Sequence, residues 1–165
     1  MRVLLALGLL MAAPAVIAQP SLFSQYDLYA YLPGSGATVQ VSSIPDRGEF
    51  NPSWAPFGPY VVHDVAAFGA GDAFLGQGLA VTNAATGASV LLPNTDGGND
   101  ADWWPFGLLI AYDRAAIPGT PDETVYLSAA WGGPRIAVRT DAVDPSWSPT
   151  GRFLAFRQPS DGSIH

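Results

Sequence analysis

One histidine and a set of acidic side chains are the residues of this 165-residue chain whose types could do chemistry. His63 is the only histidine before the C-terminal residue, and an imidazole titrates near neutral pH, so it is the first candidate for acid–base or metal chemistry. The sequence has no Gly-x-Ser-x-Gly elbow, no phosphate-binding glycine-rich loop ahead of a helix and no cysteine. We therefore predict no catalytic residues and no cofactor.

Three residues with oxygen-bearing side chains recur three positions before a tryptophan: Asn51, Asp100 and Asp144. A ring of such oxygens around a channel is one way to hold calcium, but calcium takes six to eight oxygen ligands and three are too few. The acidic loop 94–102 also lacks the sixth-position glycine and the terminal glutamate of a helix–loop–helix calcium site. We predict no metal site, and we expect the three side chains to accept backbone N–H bonds where a strand begins.

A five-residue frame, Trp-x-Pro-x-Gly, occurs three times and indicates a repeat architecture. Its tryptophans are 49 and 44 residues apart, which is typical of the blades of a β-propeller. Proline fixes φ early in a tight turn, and glycine accepts the positive φ that closes it. The three copies are Trp54, Pro56 and Gly58; Trp103, Pro105 and Gly107; and Trp147, Pro149 and Gly151.

Short strands surround each copy of the frame, and no segment of the mature chain has a helical period. Apolar strands follow the three turns. Strand–turn–strand hairpins lie before the first frame at 27–41 and between the frames at 79–92 and 124–138. This makes two strands, two sets of four and a final pair, while 161–165 resembles the approach to a further hairpin. We predict an all-β fold, a β-propeller of four-stranded antiparallel blades with about three blades' worth of strands.

A closed propeller generally needs at least four blades. Either the chain is therefore the N-terminal part of a longer propeller, or two or more copies complete a ring together, as a homodimer would complete a six-bladed ring. The glycine-rich segments 69–71 and 76–78 and the insertion 115–122 are predicted to be flexible loops, on a face where repeat proteins place recognition.

The repeat assigns structural roles to several large side chains. Counted from the turn glycine, His63 is equivalent to Tyr112 and Phe156, so we expect its ring to pack beside a blade and a His63→Phe substitution to change stability little. The three frame tryptophans are expected in the core or between blades. Burying one contributes on the order of 3 kcal/mol, so their truncation should unfold the chain.

Four aromatic residues at turn positions are candidates for an exposed protein-contact surface. Trp104 and Trp131 depart from the repeat, and Phe57 and Phe106 lie in the frame just before the turn glycine. Large aromatic side chains in exposed turns are typical of protein interfaces.

Residues 1–18 have the pattern of a cleavable signal peptide. Arg2 precedes an apolar segment, 3–11, that is too short to span a bilayer, and Val16, Ile17 and Ala18 precede the expected cleavage point. We predict a mature chain of 19–165 in the bacterial periplasm or medium, with no membrane span. The 14 acidic residues exceed the 7 basic ones, all arginine, and the net charge of −7 disfavours nucleic-acid binding.

The segment from Asp144 to Phe156, Asp-Pro-Ser-Trp-Ser-Pro-Thr-Gly-Arg-Phe-Leu-Ala-Phe, resembles the repeat of TolB-like β-propellers, and the two earlier copies are weaker versions of it. The residue before the turn glycine, typically Asp in that family, is Phe57, Phe106 and Thr150 here, so the chain resembles a divergent member. The resemblance covers about 24–165. It implies a six-bladed periplasmic ring used for protein–protein contact in cell-envelope assemblies.

Similar repeats form the propeller of prolyl-oligopeptidase-type hydrolases. The resemblance to TolB-like propellers, together with the missing enzymatic motifs, favours a non-catalytic scaffold that binds another envelope protein. The alternatives are the propeller portion of a larger exported hydrolase of that type and a glycan-binding propeller.

Overall fold

The computed structural model describes residues 26–115, 123–160 and 162–165. The predicted signal peptide and most of the predicted insertion 115–122 lie outside these ranges. The strands are β1 (Leu28–Leu32), β2 (Ala37–Ser42), β3 (Arg47–Trp54), β4 (Tyr60–Phe68), β5 (Phe74–Asn83), β6 (Ala88–Leu91), β7 (Gly98–Trp103), β8 (Leu109–Ala115), β9 (Glu123–Ala129), β10 (Ile136–Thr140), β11 (Val143–Trp147), β12 (Leu154–Gln158) and β13 (Ser163–Ile164). The described ranges contain one short 3-10 turn, Ala70–Asp72, and no α-helix. None of their helical segments is long and apolar enough to cross a membrane.

Each strand pairs antiparallel with its neighbour in sequence, so the sheets are simple meanders. The outer hairpin is β1–β2, the first blade is β3–β6, the second blade is β7–β10, and the last sheet is β11–β13. Within the described part of the chain, β7 lies against both β3 and β11, so the first strands of successive sheets are neighbours. The predicted all-β fold with four-stranded propeller blades is confirmed, and the described sheets do not close into a ring.

The last residues approach a further hairpin, as predicted: β13 pairs with β12 as the third strand of its sheet. Just beyond β13, the His165 N–H donates to the Phe156 carbonyl oxygen at 2.9 Å, and the Phe156 N–H donates to the His165 carbonyl oxygen at 3.0 Å. One local prediction was wrong. Residues 76–78, predicted to be a flexible loop, lie inside β5 and pair with 65–67 of β4. The β4–β5 hairpin is therefore longer than its glycine content indicates, because backbone pairing needs no particular side chain.

The hydrophobic core fills the space between the two blades. Val62 of β4 and Leu79 of β5 meet Trp103, Ile110 and Tyr112 of the second blade, and all five are almost completely buried. A smaller cluster joins the outer hairpin to the first blade. That cluster consists of Leu28, Val41 and Val61, with Ala30 and Ala84 packed against it.

The frame tryptophans differ in exposure. Trp103 is 5% exposed, Trp147 is half-buried, and Trp54 is 53% exposed. The packing prediction is confirmed for Trp103, which lies against the β4 and β5 strands of the preceding blade. It is wrong for Trp54, because the sheet that precedes the first blade has only its outer hairpin in the described ranges and offers no inner strand to cover the indole.

Candidate functional site

The Trp-x-Pro-x-Gly turns form one end of the blades, and their backbone closes as predicted. Gly58, Gly107 and Gly151 have φ values of 75°, 76° and 64°. In the second blade the Gly107 N–H donates to the Trp104 carbonyl oxygen at 2.8 Å. The side chains that these turns carry are therefore held on short, hydrogen-bonded supports rather than on loose loops.

Three of the four predicted contact residues line one groove of about 250 Å³ at this end. Phe57 comes from the β3–β4 turn, Phe106 from the β7–β8 turn and Trp131 from the β9–β10 turn. Their exposed fractions are 68%, 54% and 56%. Leu108, also exposed, extends the apolar wall. We call this surface, which spans the boundary between the two blades, the aromatic groove.

Ring contacts fix the walls of the aromatic groove. The Trp131 ring meets Tyr60 edge to face with 4.8 Å between centroids, and its centroid is 6.2 Å from that of Trp103. Tyr60 belongs to the first blade and Trp131 to the second, so the packing between blades positions the groove before any ligand arrives. A preformed surface loses less conformational entropy on binding.

Trp104, the fourth predicted contact residue, is half-buried and supports the groove from behind. Its ring packs on Phe106 with 4.7 Å between centroids, and its indole N–H donates to the Gly151 carbonyl oxygen at 3.0 Å. A side chain at Gly151 would place its Cβ 2.5 Å from the Trp104 Nε1. Glycine is required there both by this close approach and by its positive φ.

The three predicted capping residues have a different role. Asn51, Asp100 and Asp144 have φ values of 48°, 51° and 52°, and the pairing register shifts at each of them. Each therefore begins a β-bulge in the first strand of its sheet. Asn and Asp tolerate the left-handed region better than other residues with a Cβ, which explains why these types recur.

Their hydrogen bonds also differ from the predicted pattern. The Asn51 side-chain amide donates to Asp64 Oδ2 at 2.7 Å, and Asp144 Oδ2 accepts from the Arg157 Nε at 2.8 Å. The backbone N–H groups of Asp100 and Asp144 are themselves donors to carboxylates of the preceding blade. Among the described residues, none of the three side chains accepts a backbone N–H, so the capping interpretation is replaced by the bulge.

Two buried carboxylates that the sequence reasoning missed join successive sheets. Asp64 Oδ2 accepts the Asp100 N–H at 3.2 Å, and Asp113 Oδ2 accepts the Asp144 N–H at 2.8 Å. Burial raises the pKa of Asp64 to about 7 and that of Asp113 to about 8, although these hydrogen bonds act in the opposite direction. Their signal in the sequence was an Asp six residues after the turn glycine in two copies of the repeat.

Asp102 makes a second connection between sheets. Its Oδ1 accepts the Ser53 hydroxyl of β3 at 2.9 Å, and its Oδ2 accepts the Trp147 N–H of β11 at 2.7 Å. One carboxylate in the middle sheet thus holds the first strands of the sheets on both sides.

One set of carboxylates approaches the geometry of a metal site. Asp100, Asp113 and Asp144 each offer one oxygen, and these oxygens lie within 4.8 Å of one another. Asp113 lies outside the repeated set of Asn51, Asp100 and Asp144. Three oxygens fall short of the six to eight that calcium takes, and all three residues already take part in the N–H-to-carboxylate hydrogen bonds between sheets.

His63 is fully buried, as its repeat position predicted, but it is hydrogen-bonded rather than simply packed. Its Nδ1–H donates to the Asp64 carbonyl oxygen at 3.2 Å, and its Nε2 accepts the Thr82 hydroxyl at 2.9 Å. Burial lowers its pKa to about 4, so the imidazole is neutral at pH 7. The expectation that phenylalanine would replace it at little cost is therefore revised.

The side chains around His63 form a buried polar cluster between the outer hairpin and the first blade. Ser42 donates to Glu49 Oε1 at 2.5 Å, and Glu49 Oε1 lies 3.9 Å from the His63 Nε2. Ser42, Glu49, His63 and Thr82 are all at most 3% exposed. No described hydrogen bond joins Ser42 to His63, so the cluster lacks the serine–base contact of a nucleophilic site.

Comparison with known proteins shows which solved structures this architecture resembles. No known family matches the chain in sequence, and no curated protein matches it. Among solved structures it is similar to TolB from Acinetobacter baumannii, with 14% identity, a TM-score of 0.61 and coverage of 84% of this chain and 37% of that one. It is also similar to a putative TolB from Agrobacterium tumefaciens, with 14% identity, a TM-score of 0.59 and coverage of 84% and 55%.

A third similar structure is the β-propeller domain of the Trilobed protease from Pyrococcus furiosus, with 13% identity, a TM-score of 0.52 and coverage of 67% of this chain and 33% of that one. The chain thus spans from about a third to about half of the length of these three structures. The likeness confirms the predicted fold, a divergent and partial TolB-like β-propeller.

Proposed function

From a partial TolB-like β-propeller fold, we propose that the chain is a non-catalytic, exported scaffold that binds another envelope protein through the aromatic groove. The observation that carries this proposal is the convergence of Phe57, Phe106 and Trp131, from three turns of two blades, on one groove. Each of these side chains remains more than half exposed. Aromatic side chains that share a concave surface are typical anchors of protein interfaces.

The groove and the charge of the chain define the chemistry of the partner. A volume of about 250 Å³ admits one large apolar side chain or two smaller ones. The net charge of −7 favours a partner whose anchoring residue is flanked by basic side chains, because opposite charges around an apolar centre raise the association rate. The partner segment is therefore an exposed apolar or aromatic residue between Lys or Arg.

Photocrosslinking in the exporting cell tests the proposal. A photoreactive side chain is placed at Phe57, at Phe106, and at Tyr31 as a control that is 64% exposed on β1, away from the groove. We expect one protein to be captured from both groove positions and not from the control. Equal capture from Tyr31, or no capture from either groove position, contradicts the proposal.

Binding of the captured protein is then measured with purified components. Trp131→Ala should weaken binding at least tenfold, which corresponds to about 1.4 kcal/mol, because it removes one wall of the groove. Tyr31→Ala should leave the affinity unchanged. Unaltered binding by Trp131→Ala overturns the assignment of the groove.

A second candidate function is the propeller portion of a larger exported hydrolase of prolyl-oligopeptidase type. The structural likeness to the Trilobed protease propeller favours it, as does a likeness to the Pyrococcus horikoshii acylaminoacyl peptidase, at 11% identity and a TM-score of 0.50 over 67% of this chain. Treatment of the exported protein with a fluorophosphonate, which labels an active serine, distinguishes the hydrolase from the scaffold. Labelling of a serine supports the hydrolase, and an unlabelled protein that still yields the groove crosslink supports the scaffold. A glycan array tests the sugar-binding alternative.

A further inference from the structure

A second cavity, of about 440 Å³, lies at the end of the blades opposite the aromatic groove. It is bordered by the start of β3, the β4–β5 hairpin, the loop that leads into β7 and the end of β8. Its polar lining consists of Arg47, Gln77, Asp96 and Arg114, and we call it the arginine cleft. Nothing in the proposed scaffold function uses it.

The two guanidinium groups of the cleft are not neutralised by a carboxylate. Among the described residues Arg47 has no side-chain hydrogen bond or ion pair, and Arg114 donates its Nε–H to the uncharged carbonyl oxygen of Asp96. Acidic residues outnumber arginines two to one in this chain, so two unpaired guanidiniums in one cavity form a local positive centre. Guanidinium forks match carboxylates in geometry as well as in charge.

The Gln77–Gly97 part of the cleft, next to Arg114, is fixed by hydrogen bonds and offers acceptors. The Gln77 amide nitrogen donates to the Asn99 Oδ1 at 2.6 Å and to the Gly97 carbonyl oxygen at 3.4 Å, and the Gly97 N–H donates to the Gln77 carbonyl oxygen at 2.8 Å. These bonds hold the first blade to the second and leave the Gln77 Oε1 without a described donor. The Asp96 carboxylate borders the same cavity and makes no described ion pair.

We propose that the arginine cleft binds a small zwitterionic ligand of the amino-acid or short-peptide class. The ligand carboxylate lies on Arg47 and Arg114, and its ammonium group lies against the Asp96 carboxylate and the Gln77 Oε1. A cavity that holds both charges disfavours a dianion such as phosphate, because Asp96 repels it. The volume of the cleft leaves space for ligand side chains between the two charged ends.

Calorimetry on the exported protein with three matched peptides tests this proposal. The probes are trialanine, N-acetyl-trialanine, which lacks the ammonium group, and trialanine amide, which lacks the carboxylate; inorganic phosphate is the dianion. We expect trialanine to bind at least tenfold more tightly than each of the other three. No heat from trialanine at millimolar concentration, or equally tight binding of phosphate, overturns the proposal.

Substitutions test which residues of the cleft bind each charged end of the ligand. Arg47→Gln and Arg114→Gln should each weaken trialanine binding at least tenfold, whereas Arg152→Gln, an exposed arginine at the other end of the blades, should not change it. Asp96→Asn should remove the preference for trialanine over its N-acetyl form. Wild-type affinity in both Arg47→Gln and Arg114→Gln, with unchanged melting temperatures, places any binding elsewhere and refutes the site. The assay contains no protein partner, so its outcome is independent of the aromatic groove.

Discussion

Replacement of His63 by phenylalanine discriminates between a merely packed ring and the hydrogen-bonded ring seen in the structure. The substitution keeps a flat ring in a fully buried position and removes both ring nitrogens. The Thr82 hydroxyl then loses its 2.9 Å acceptor, and the Asp64 carbonyl oxygen loses the 3.2 Å bond from Nδ1. The larger ring also faces the buried Glu49, whose Oε2 has no hydrogen-bond partner within the described ranges.

The stability cost of His63→Phe comes from the buried polar groups that lose a hydrogen-bond partner. A buried polar group deprived of its partner costs about 1–3 kcal/mol. Thr82 keeps bonds to the Ser89 and Ser42 hydroxyls at 2.6 Å and 3.3 Å, which limits the loss on that side. The phenyl ring regains about 1 kcal/mol through added apolar burial. We expect His63→Phe to lower the free energy of unfolding by about 1–2 kcal/mol and the melting temperature by roughly 3–8 °C.

Tyr112→Phe is the matched control, because Tyr112 occupies the equivalent position in the second blade. Burial raises the pKa of its hydroxyl, which makes no well-formed hydrogen bond within the described ranges; the nearby Arg135 guanidinium, by its charge and a weak hydrogen bond, acts on that pKa in the opposite direction. Removing an unsatisfied hydroxyl should leave stability unchanged or raise it slightly. Thermal unfolding followed by circular dichroism measures both variants. Equal stability of His63→Phe and the wild type, or equal losses in the two variants, refutes the role assigned to the ring nitrogens.

The pH dependence gives a second readout for the same variant. The folded-state pKa of His63 is lowered to about 4, so the unfolded chain binds its proton first as the pH falls below about 6.5. The stability associated with the neutral imidazole is therefore present above pH 6.5 and is lost as the pH falls through 4. The stability difference between wild type and His63→Phe should shrink over that interval.

The remaining predictions concern the core, a buried carboxylate and ring closure. Trp103→Ala should destabilise the fold by about 3–5 kcal/mol in denaturant titrations, whereas Trp54→Ala should cost less than about 1 kcal/mol because that side chain is half exposed. Asp113 has a pKa raised to about 8, so its contribution to stability is lost as the pH rises from about 4 through 8. In urea titrations from pH 4 to 9, Asp113→Asn should reduce this loss of stability and leave the part that ends near pH 7, which belongs to Asp64. Light scattering should detect no discrete folded dimer, because β13 already pairs with the edge of β12 that the β1–β2 hairpin of a second copy would need. A folded dimer would instead support the predicted six-bladed ring.

The features that the sequence predicted are those in which one residue sets the local backbone. Glycine at the end of each Trp-x-Pro-x-Gly frame specifies a positive φ, and the three observed turns have it. The alternation of turn residues with β-branched segments likewise predicted where the strands of the four-stranded blades lie. The recurrence of Asn51, Asp100 and Asp144 also reflects a local backbone requirement, which is a bulge conformation and not a capping bond.

The features that the sequence did not predict depend on contacts between sheets. Trp54 and Trp103 occupy the same repeat position and differ only in the sheet that precedes them. The β4 and β5 strands of the first blade bury Trp103, whereas no described inner strand covers Trp54. The Asp64 and Asp113 carboxylates likewise acquire their role from a backbone N–H that is 31 to 36 residues away. The arginine cleft combines side chains from both blades, so no local spacing indicates it.

The carboxylate ties also show how the last sheet differs from the two blades. The position six residues after the turn glycine is Asp64 in the first blade, Asp113 in the second and Arg157 in the last sheet. The two aspartates accept a backbone N–H from the bulge of the following sheet, but a guanidinium has no acceptor atom. Arg157 instead bonds Asp144 within its own sheet. Any strand that packs beyond β11, from this chain or from a second copy, must therefore be held by interactions other than the carboxylate–N–H hydrogen bond that joins β4 to β7 and β8 to β11.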